Sequence, residues 1–406
     1  MKKEQSNIWT PGIPVEENIY NWKGKAFLQE SIENVSTENL TLVDLFCGCG
    51  GFSTGFEMVG FNTILGLDIH PPSIETFKIN HKYASTIVGD IRSVPDELIL
   101  EALDGKNVDV VTAGVPCQGF SISNRKRWKD DKRNLLFREF IRVVRLLKPK
   151  VVLLENVTGL QSTANGEFKR AISDAIEETG YYDDFNVLNA ADFGVPQKRQ
   201  RVFFMGVRKD LNIKPRWPKA THGNTLPQKH ITVWEAIGDL PQIESNQESD
   251  SYDKPPFSEY QKLMRNDCKI LLNHIAPKHP LDVIEKIGQT IPGQPMYPKF
   301  KQRIRLHPNK PSPTQICGGI RPQFQFGHPT LARGLTIRER CRIQSFPDHY
   351  FIAGGTVQGR VQTGNAVPPL LAKAIAQAIQ SILLNEHNYE SEVSQQTIQL
   401  ALFAKY

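Results

Sequence analysis

Residues 108–121, VDVVTAGVPCQGFS, decide the fold class of this chain. The valine-rich run from Val108 to Val115 is typical of a buried parallel strand that runs out into a loop. Cys117 follows this run, at the carboxyl end of the strand, where open α/β sheets place their chemistry. By residue type alone, Cys117 is either a reactive thiol or, like most unpaired cysteines, a small buried hydrophobe.

The same kind of strand recurs on both sides of this segment, between Leu40 and Arg208. Short β-rich runs alternate there with helical patterns, which predicts an α/β fold with a doubly wound, mostly parallel sheet. The clearest predicted helices are Leu135–Leu147 and Gly166–Thr179. The predicted strands are Leu42–Phe46, Thr63–Asp68, Ser85–Gly89, Val108–Ala113, Val151–Glu155, Phe185–Asn189 and Arg201–Val207.

The chain changes character after Arg208. Residues 214–311 are rich in Pro, Asn, Gln, Ser and Lys, and only two short helices are predicted there, Ile231–Leu240 and Leu281–Gly288. Because disordered segments are poor in aromatic residues and this region is not, we predict a second, smaller domain that is irregular or β-rich. Beyond it, a helix with a charged face over 336–344 and an Ala/Ile-rich helix over 370–384 are expected to pack on the first domain.

The composition is that of a soluble globular protein, with 39% hydrophobic and 23% charged residues among 406. No apolar stretch reaches the ~18 residues of a membrane span, and no secretory signal is recognisable at the N-terminus. The six cysteines are scattered and fit neither a disulfide framework nor a zinc site. We expect a cytoplasmic protein. Its net charge of +6 is compatible with a nucleic-acid partner but does not establish one.

A glycine-rich loop, DLFCGCGGFSTGFE at 44–57, follows the first predicted strand. Glycines let the backbone turn tightly and approach a ligand at the start of a helix. The next two predicted strands end near Asp68 and Asp90, whose carboxylates could accept hydrogen bonds from a ribose and an adenine amino group. Each feature alone could be a structural turn or a helix cap. Together they favour an adenine nucleoside as the ligand.

The chain contains five short motifs. In chain order they are the cysteine segment at 114–121, Glu155-Asn156-Val157, Gln197-Lys198-Arg199-Gln200-Arg201, RGLTIRERCRIQSFPD at 333–348 and QTGNAVPP at 362–369. In this order the chain resembles the DNA (cytosine-5)-methyltransferases of bacterial restriction–modification systems, over about Leu40–Leu384. The resemblance implies the class I fold of S-adenosylmethionine-dependent methyltransferases. It also implies S-adenosylmethionine as the methyl donor and no metal.

The resemblance also implies a division of the chain. Residues 40–208 would form the catalytic and cofactor-binding domain, and 209–325 an inserted target-recognition domain. Residues 326–385 would then return to the catalytic domain and complete it. The role of the N-terminal extension, 1–39, and of the C-terminal tail, 386–406, is unknown.

The chemistry of cytosine methylation assigns roles to four residues. C5 of cytosine is a poor nucleophile, and a thiolate that adds to C6 activates it, which is the expected role of Cys117. Glu155 would protonate or hydrogen-bond N3. By resemblance, Arg201 would contact O2 of the base and hold Glu155, and Arg199 would support the catalytic loop or a phosphate. Because C5 is out of reach inside a duplex, the base must be flipped out.

The remaining site residues are expected from the motifs and from the resemblance. The predicted partner is double-stranded DNA. A cognate restriction endonuclease is a further candidate partner, with no stable complex implied, and the protein is expected to be a monomer with no membrane contact. A transfer-RNA methyltransferase of the same fold is the alternative. The predicted cofactor residues are Asp44, Phe46, Gly48, Gly50, Gly51, Asp68, Ile69, Asp90, Ile91, Gly114, Pro116, Asn365 and Val367. The predicted DNA-binding residues are Gln118, Ser121, Ser123, Arg125, Lys126, Arg127, Lys129 and Gln197.

Overall fold

Eight strands form one sheet at the centre of the computed structural model. The structure describes residues 25–33, 39–116, 135–159, 167–317 and 325–384. The predicted nucleophile Cys117 and the predicted DNA contacts from Gln118 to Lys129 lie outside the described residues.

The strands of the sheet and the helices around it follow the sequence-based prediction within a few residues at most boundaries. The strands are β1 (Phe27–Gln29), β2 (Thr41–Leu45), β3 (Asn62–Asp68), β4 (Ser85–Val88), β5 (Val110–Gly114), β6 (Val151–Val157), β7 (Tyr181–Asn189) and β9 (Gln200–Arg208). They lie in the sheet in the order β1-β4-β3-β2-β5-β6-β9-β7. The helices between them are α1 (Gly51–Glu57), α2 (Pro71–Asn80), α3 (Asp96–Leu103), α4 (Leu135–Leu147) and α5 (Glu167–Glu178). A 3₁₀ turn at Ile91–Ser93 follows β4.

Both faces of the sheet are buried, which explains why its strands are nearly continuous hydrophobic runs. On β6, Val152 and Leu154 point into a core shared with α3, α4 and α5. Val151 and Leu153 point into a second core, shared with α1 and the C-terminal helix. Alternate residues of each strand therefore enter different cores.

The sheet is parallel from β4 through β3, β2 and β5 to β6, and antiparallel where β9 pairs with β6 and with β7. This confirms the mostly parallel sheet. β7 begins at Tyr181, four residues before its predicted start. The prediction missed the first half of this strand because that half carries the polar residues Asp183 and Asp184. The antiparallel ladder brings the start of β9 to the carboxyl end of β6.

The region predicted to be irregular contains short elements built around its own small core. They are β8 (Gln197–Lys198) just before it, then α6 (Val233–Ile237), α7 (Glu259–Arg265), α8 (Leu281–Gln289), β10 (Ile304–Arg305), β11 (Ser312–Pro313) and β12 (Phe326–Gly327). Ile237, Tyr260 and Leu306 belong to this core, and so does Ile343 from the C-terminal part. The region is thus packed directly on the part of the chain that follows it.

The C-terminal part consists of α9 (Ile337–Ile343), α10 (Gly355–Asn365) and α11 (Pro369–Leu383). All residues of α9 are buried, including Arg338, Arg340 and Arg342, so its predicted charged face lies inside the protein. Among the described residues, one helical stretch, 355–383, has the length and apolar composition of a helix that could cross a membrane. It is interrupted between α10 and α11, and α11 packs against α1 in the core.

Candidate active site

The carboxyl ends of five neighbouring strands bring predicted site residues to one edge of the sheet. These are Asp90 after β4, Asp68 at the end of β3, Phe46 after β2, Gly114 at the end of β5 and Glu155 near the end of β6. Neighbouring strands lie about 4.8 Å apart, so this row is roughly 19 Å long. A ligand of nucleoside size placed at Asp90 and Asp68 can therefore extend toward Glu155.

Glu155 and Arg201 form an ion pair where the parallel and antiparallel parts of the sheet meet. Arg201 lies opposite Val157 on β6, two residues beyond Glu155, so the two side chains share one face of the sheet. The Nε atom of Arg201 is 2.9 Å from Oε1 of Glu155, and the side chains are only 15% and 11% exposed. A guanidinium at this distance orients the carboxylate.

A polar cavity of about 410 Å³ opens beside this pair. Its size lies within the range of small-molecule sites, about 300–1,000 Å³. The lining residues are Thr158, Asn189, Lys198, Gln200, Arg201 and Thr314. Arg201 therefore faces both Glu155 and an open polar space.

Asn156 fixes the strand end from which the chain leaves toward Cys117. Its buried Nδ2 atom donates to the carbonyl of Val115 at 3.4 Å, and its Oδ1 accepts from the N–H of Val157 at 2.8 Å. Sequence reasoning did not single out this residue as a site residue. Its role depends on the pairing of β5 with β6, for which the local sequence carries no signal.

Arg199 is buried, with 2% of its surface exposed. Its Nη1 atom donates to the carbonyl of Gln315 at 3.0 Å and its Nη2 to that of Asn365 at 3.5 Å. Burial, together with the positive charge of Arg201, lowers the pKa of Arg199 to about 9. A guanidinium buried this deeply cannot contact a phosphate of DNA, so the predicted phosphate contact of Arg199 is wrong. Arg199 joins three separate parts of the chain instead.

Gln197 is also fully buried, which corrects its predicted DNA contact. Its Nε2 atom donates to Oε1 of Gln344, and its Oε1 accepts from the N–H of Gln315 at 2.8 Å. The parallel pairing of β8 with β11 places these groups together. Gln197 thus holds the 312–317 segment against the sheet.

The glycine-rich loop is packed tightly at its second half. A Cβ atom on Gly50 would lie 2.3 Å from Nε2 of His81, and one on Gly51 would lie 2.1 Å from the carbonyl oxygen of Val367. The hydroxyl of Tyr350 donates to the carbonyl of Cys49 in the same loop. The C-terminal part of the chain therefore supports this loop from behind.

The first half of the loop is open. Gly48 has a φ of 53°, in the left-handed region, and a Cβ atom there would meet nothing within 4 Å. Phe46 also has a positive φ, 55°. The backbone at Gly48 therefore faces space that a ligand can occupy.

Two carboxylates hold this loop in different ways. Asp68 accepts from the N–H of Gly48 and from that of His70, both at 2.8 Å, and it retains lone pairs for a ligand. Asp44 is 1% exposed and accepts from the hydroxyls of Ser53 and Thr112. The predicted ligand contact of Asp44 is therefore wrong, because its side chain is buried and both of its oxygens face hydroxyl groups inside the protein. Burial raises the pKa of Asp44 to about 6.

Asp90 caps the 3₁₀ turn that follows β4. Its Oδ1 atom accepts from the N–H of Arg92 at 3.0 Å and from the Nε of the same arginine at 2.9 Å. The capping role considered for this residue is therefore present. Its carboxylate is fixed at the strand end, and a carboxylate has more acceptor sites than these bonds use.

These residues fit an adenosyl ligand. The open backbone at Gly48 admits a close approach, and Asp68 and Asp90 are the hydrogen-bond acceptors that a ribose and an adenine amino group require. Within the described ranges, no group of three or more His, Cys, Asp or Glu side chains could hold a metal ion.

A family model for C-5 cytosine-specific DNA methylases matches residues 40–381. The chain belongs to this family. It is therefore a DNA cytosine-5 methyltransferase, as its motifs predicted, and the match covers every strand of the sheet except β1.

Similar proteins agree with this assignment. The Type II methyltransferase M1.HphI of Haemophilus parahaemolyticus is 36% identical over 86% of this chain and 88% of its own length. M.DdeI of Desulfomicrobium norvegicum is 36% identical over 84% and 88%. A crystal structure of a prophage-encoded E. coli protein, assigned as a DNA modification methyltransferase, superposes on 85% of this methylase with a TM-score of 0.70 and 27% identity. These similarities confirm the predicted fold class.

Proposed function

We propose that this methylase transfers the methyl group of S-adenosylmethionine to C5 of a cytosine flipped out of double-stranded DNA, through a transient bond between Cys117 and C6. The ion pair of Glu155 and Arg201 carries the proposal. It lies beside the strand end that leads to Cys117, next to a cavity large enough for a base.

Each proposed catalytic group has a defined task. The thiolate of Cys117 adds to C6, which pushes electron density onto C5 and negative charge onto N3 and O2 of the ring. Glu155 protonates or hydrogen-bonds N3. Arg201 holds Glu155 in place and also stabilises the charge on O2. S-adenosylmethionine, when bound, supplies the electrophilic methyl group. Transfer of the C5 proton to water then breaks the bond between C6 and the sulfur, which releases the Cys117 thiolate.

The open half of the glycine-rich loop supports the placement of the methyl donor. Asp68 would accept from the ribose hydroxyls and Asp90 from the adenine amino group, with Ile69 and Ile91 beside the adenine. Asn365 is exposed next to the buried Val367, which packs on the loop at Gly51. Gly114 and Pro116 would line the path of the donor toward Cys117.

A basic hairpin in the 209–325 region is our candidate for sequence-independent DNA binding. Residues 293–305 fold back on themselves through backbone bonds such as that from Met296 N–H to the carbonyl of Arg303. Lys299, Phe300 and Lys301 are exposed near its tip. Arg303 stacks over the Phe300 ring at 4.5 Å. Cations next to an aromatic ring are suited to phosphates and bases.

The domain boundaries 40–208, 209–325 and 326–385 form part of this proposal, with target recognition in the second. Because M1.HphI and M.DdeI are Type II methyltransferases, we further propose a role in a bacterial restriction–modification system. In it, the methylase would act in the cytoplasm as a monomer and protect sites cut by a cognate endonuclease.

A duplex that contains 5-fluorocytosine tests the covalent step. Fluorine blocks the loss of the C5 substituent, so enzyme and DNA should remain joined in a complex that survives denaturing electrophoresis. Cys117→Ser should abolish the complex, and Cys268→Ser, at a partly exposed cysteine outside the site, should retain it. A complex that persists in Cys117→Ser would refute the assignment. Methyl transfer to transfer RNA rather than duplex DNA would refute the substrate.

A further inference from the structure

Strand β1 lies outside the part of the chain that matches the methylase family, which begins at residue 40. It nevertheless belongs to the central sheet. Phe27, Leu28 and Gln29 pair antiparallel with β4, where Phe27 lies opposite Val88. β1 is therefore the outermost strand of the sheet, and its first residue lies beside the end of β4 that leads to Asp90.

The chain after β1 continues along the same edge. The N–H groups of Ile32 and Glu33 donate to the carbonyl of Lys82, at 2.8 and 3.1 Å, and Leu28 packs on the main core. The contacts thus extend from the turn before β4 to its last residue. Residues 26–33, which we call the edge segment, cover β4 along its whole length.

The edge segment approaches the cofactor row most closely at Ala26. A Cβ atom on Gly89 would lie 2.7 Å from the Cβ of Ala26 and 3.0 Å from its Cα. The backbone of Gly89 is not in the left-handed region. Glycine is therefore required at this position by the packing of Ala26 and not by its own dihedral angles.

Gly89 connects the two proposed cofactor carboxylates. Its N–H donates to the carbonyl of Asp68 at 3.0 Å, and Asp90 is the next residue. A displacement of Gly89 would therefore move Asp90 relative to Asp68. The contact with Ala26 opposes that displacement from the outer side of the sheet.

The opposite side of the same turn is already held. Arg142 on α4 donates through Nη2 to the carbonyls of Ile91 and Val94, each at 3.1 Å. Arg142 also pairs with Asp96 at the start of α3. The turn 89–94 thus has one support from within the family fold and one from the edge segment.

We propose that the edge segment is a positioning element of the cofactor site, which fixes Gly89 and so places Asp90 for the adenine end of S-adenosylmethionine. This inference rests on the cofactor site proposed above. It assigns a role in cofactor affinity to residues that precede the family match.

Calorimetric titration with S-adenosylhomocysteine tests the inference on the full-length protein and on two truncations. Removal of residues 1–24 retains the edge segment and should leave the Kd unchanged. Removal of residues 1–33 should raise the Kd about tenfold, which corresponds to about 1.4 kcal/mol. The KM for S-adenosylmethionine should rise equally, with kcat unchanged at saturation. A loss of thermal stability at unchanged Kd and KM would overturn the inference.

A pair of point variants decides the matter if the longer truncation does not fold. Gly89→Ala should raise the Kd, because its new methyl group collides with Ala26. Adding Ala26→Gly removes the atom 2.7 Å away and should recover part of the lost affinity, because the Cα of residue 26 remains at 3.0 Å. Equal affinity of Gly89→Ala and the wild type, or no recovery in the double variant, would overturn the inference.

Asp90→Ala separates this inference from the proposed function. If Asp90→Ala binds S-adenosylhomocysteine as tightly as the wild type, the proposed cofactor site is wrong and the inference fails with it. If Asp90→Ala weakens binding but Gly89→Ala does not, the cofactor site stands and the inference alone is wrong.

Discussion

Arg201 lies 2.9 Å from Glu155 (Nε to Oε1) because β9 runs antiparallel to β6. Arg201 is the second residue of β9, and Glu155 is the fifth of β6. In a parallel pair, the start of one strand lies beside the start of its neighbour. The antiparallel ladder instead brings a residue at the beginning of β9 to the carboxyl end of β6, on the edge where the parallel strands carry the proposed ligand-binding residues.

Loss of the Arg201 guanidinium should reduce methyl transfer strongly. In Arg201→Ala, O2 of the base loses its stabilising charge and Glu155 its orienting partner, so we expect the single-turnover rate to fall by about 10²–10³, as for other preorganised donors. Arg208→Ala is the control, at the far end of the same strand. It should retain the wild-type rate. The role of Arg201 would be disproved by a rate within a factor of two of the control.

The two halves of the glycine-rich loop should respond differently to alanine. In Gly51→Ala the new methyl group would collide with the Val367 carbonyl, so the protein should unfold at a lower temperature. Gly48→Ala meets no protein atom and costs only left-handed strain, about 1 kcal/mol. It should remain folded but bind S-adenosylhomocysteine more weakly. Unchanged binding in Gly48→Ala would mean that the open space is not the cofactor site.

The buried carboxyl of Asp44 should give the protein a measurable pH dependence. Its pKa is about 6 in the folded protein and about 3.8 in the unfolded chain, so the folded state binds more protons between these values. The contribution of Asp44 to the free energy of unfolding therefore falls as the pH rises through this window. The change is on the order of 3 kcal/mol.

Asp44→Asn tests this dependence, because the amide keeps the shape of the side chain and does not titrate. Urea unfolding from about pH 4 to about pH 7 should show the variant gaining stability relative to the wild type as the pH rises. Parallel stability curves for the two proteins would contradict the assignment of the pH effect to Asp44.

The basic hairpin should contribute to DNA affinity through counterion release. Replacing both Lys299 and Lys301 by Gln removes two exposed cations, so the slope of log K against log salt should become shallower by about 1.8 for duplex DNA. Binding titrations at several salt concentrations measure this slope. The control is Lys78→Gln with Lys106→Gln, in α2 and just after α3, and it should keep the wild-type slope. Equal slopes in both pairs would exclude the hairpin as a DNA contact.

The sheet was predictable from sequence because both of its faces are buried. β5 begins with the buried pair Val110 and Val111, and β6 with the buried run 151–154, and such apolar runs are the clearest local signal for a parallel strand. The glycines of the loop and the acidic residues at the strand ends likewise stand at fixed offsets from those runs. The edge along which the site lies follows from the rule that ligands bind at the carboxyl ends of the strands.

Other features depend on contacts between distant parts of the chain. Arg342 looks like a surface residue of an amphipathic helix, yet it is buried because it pairs with Asp239 and with Asp348. Its partner Asp239 is 103 residues away. Gln197 was predicted to contact DNA as part of the 197–201 motif, and the pairing of β8 with β11 makes it internal. β1 is three residues long and carries no periodic signal.

The ladder between β8 and β11 limits how the specificity of this methylase can be exchanged. Ser312 lies beside Gln197, and the N–H of Gln315 is held by the same glutamine, so the 312–317 segment is built as part of the catalytic half although it precedes residue 325. A chimera that imports a foreign recognition module should therefore be joined before Ser312. A junction at 325 would replace the strand that Gln197 and Arg199 hold, and the catalytic half would have to accept a segment that did not evolve with it.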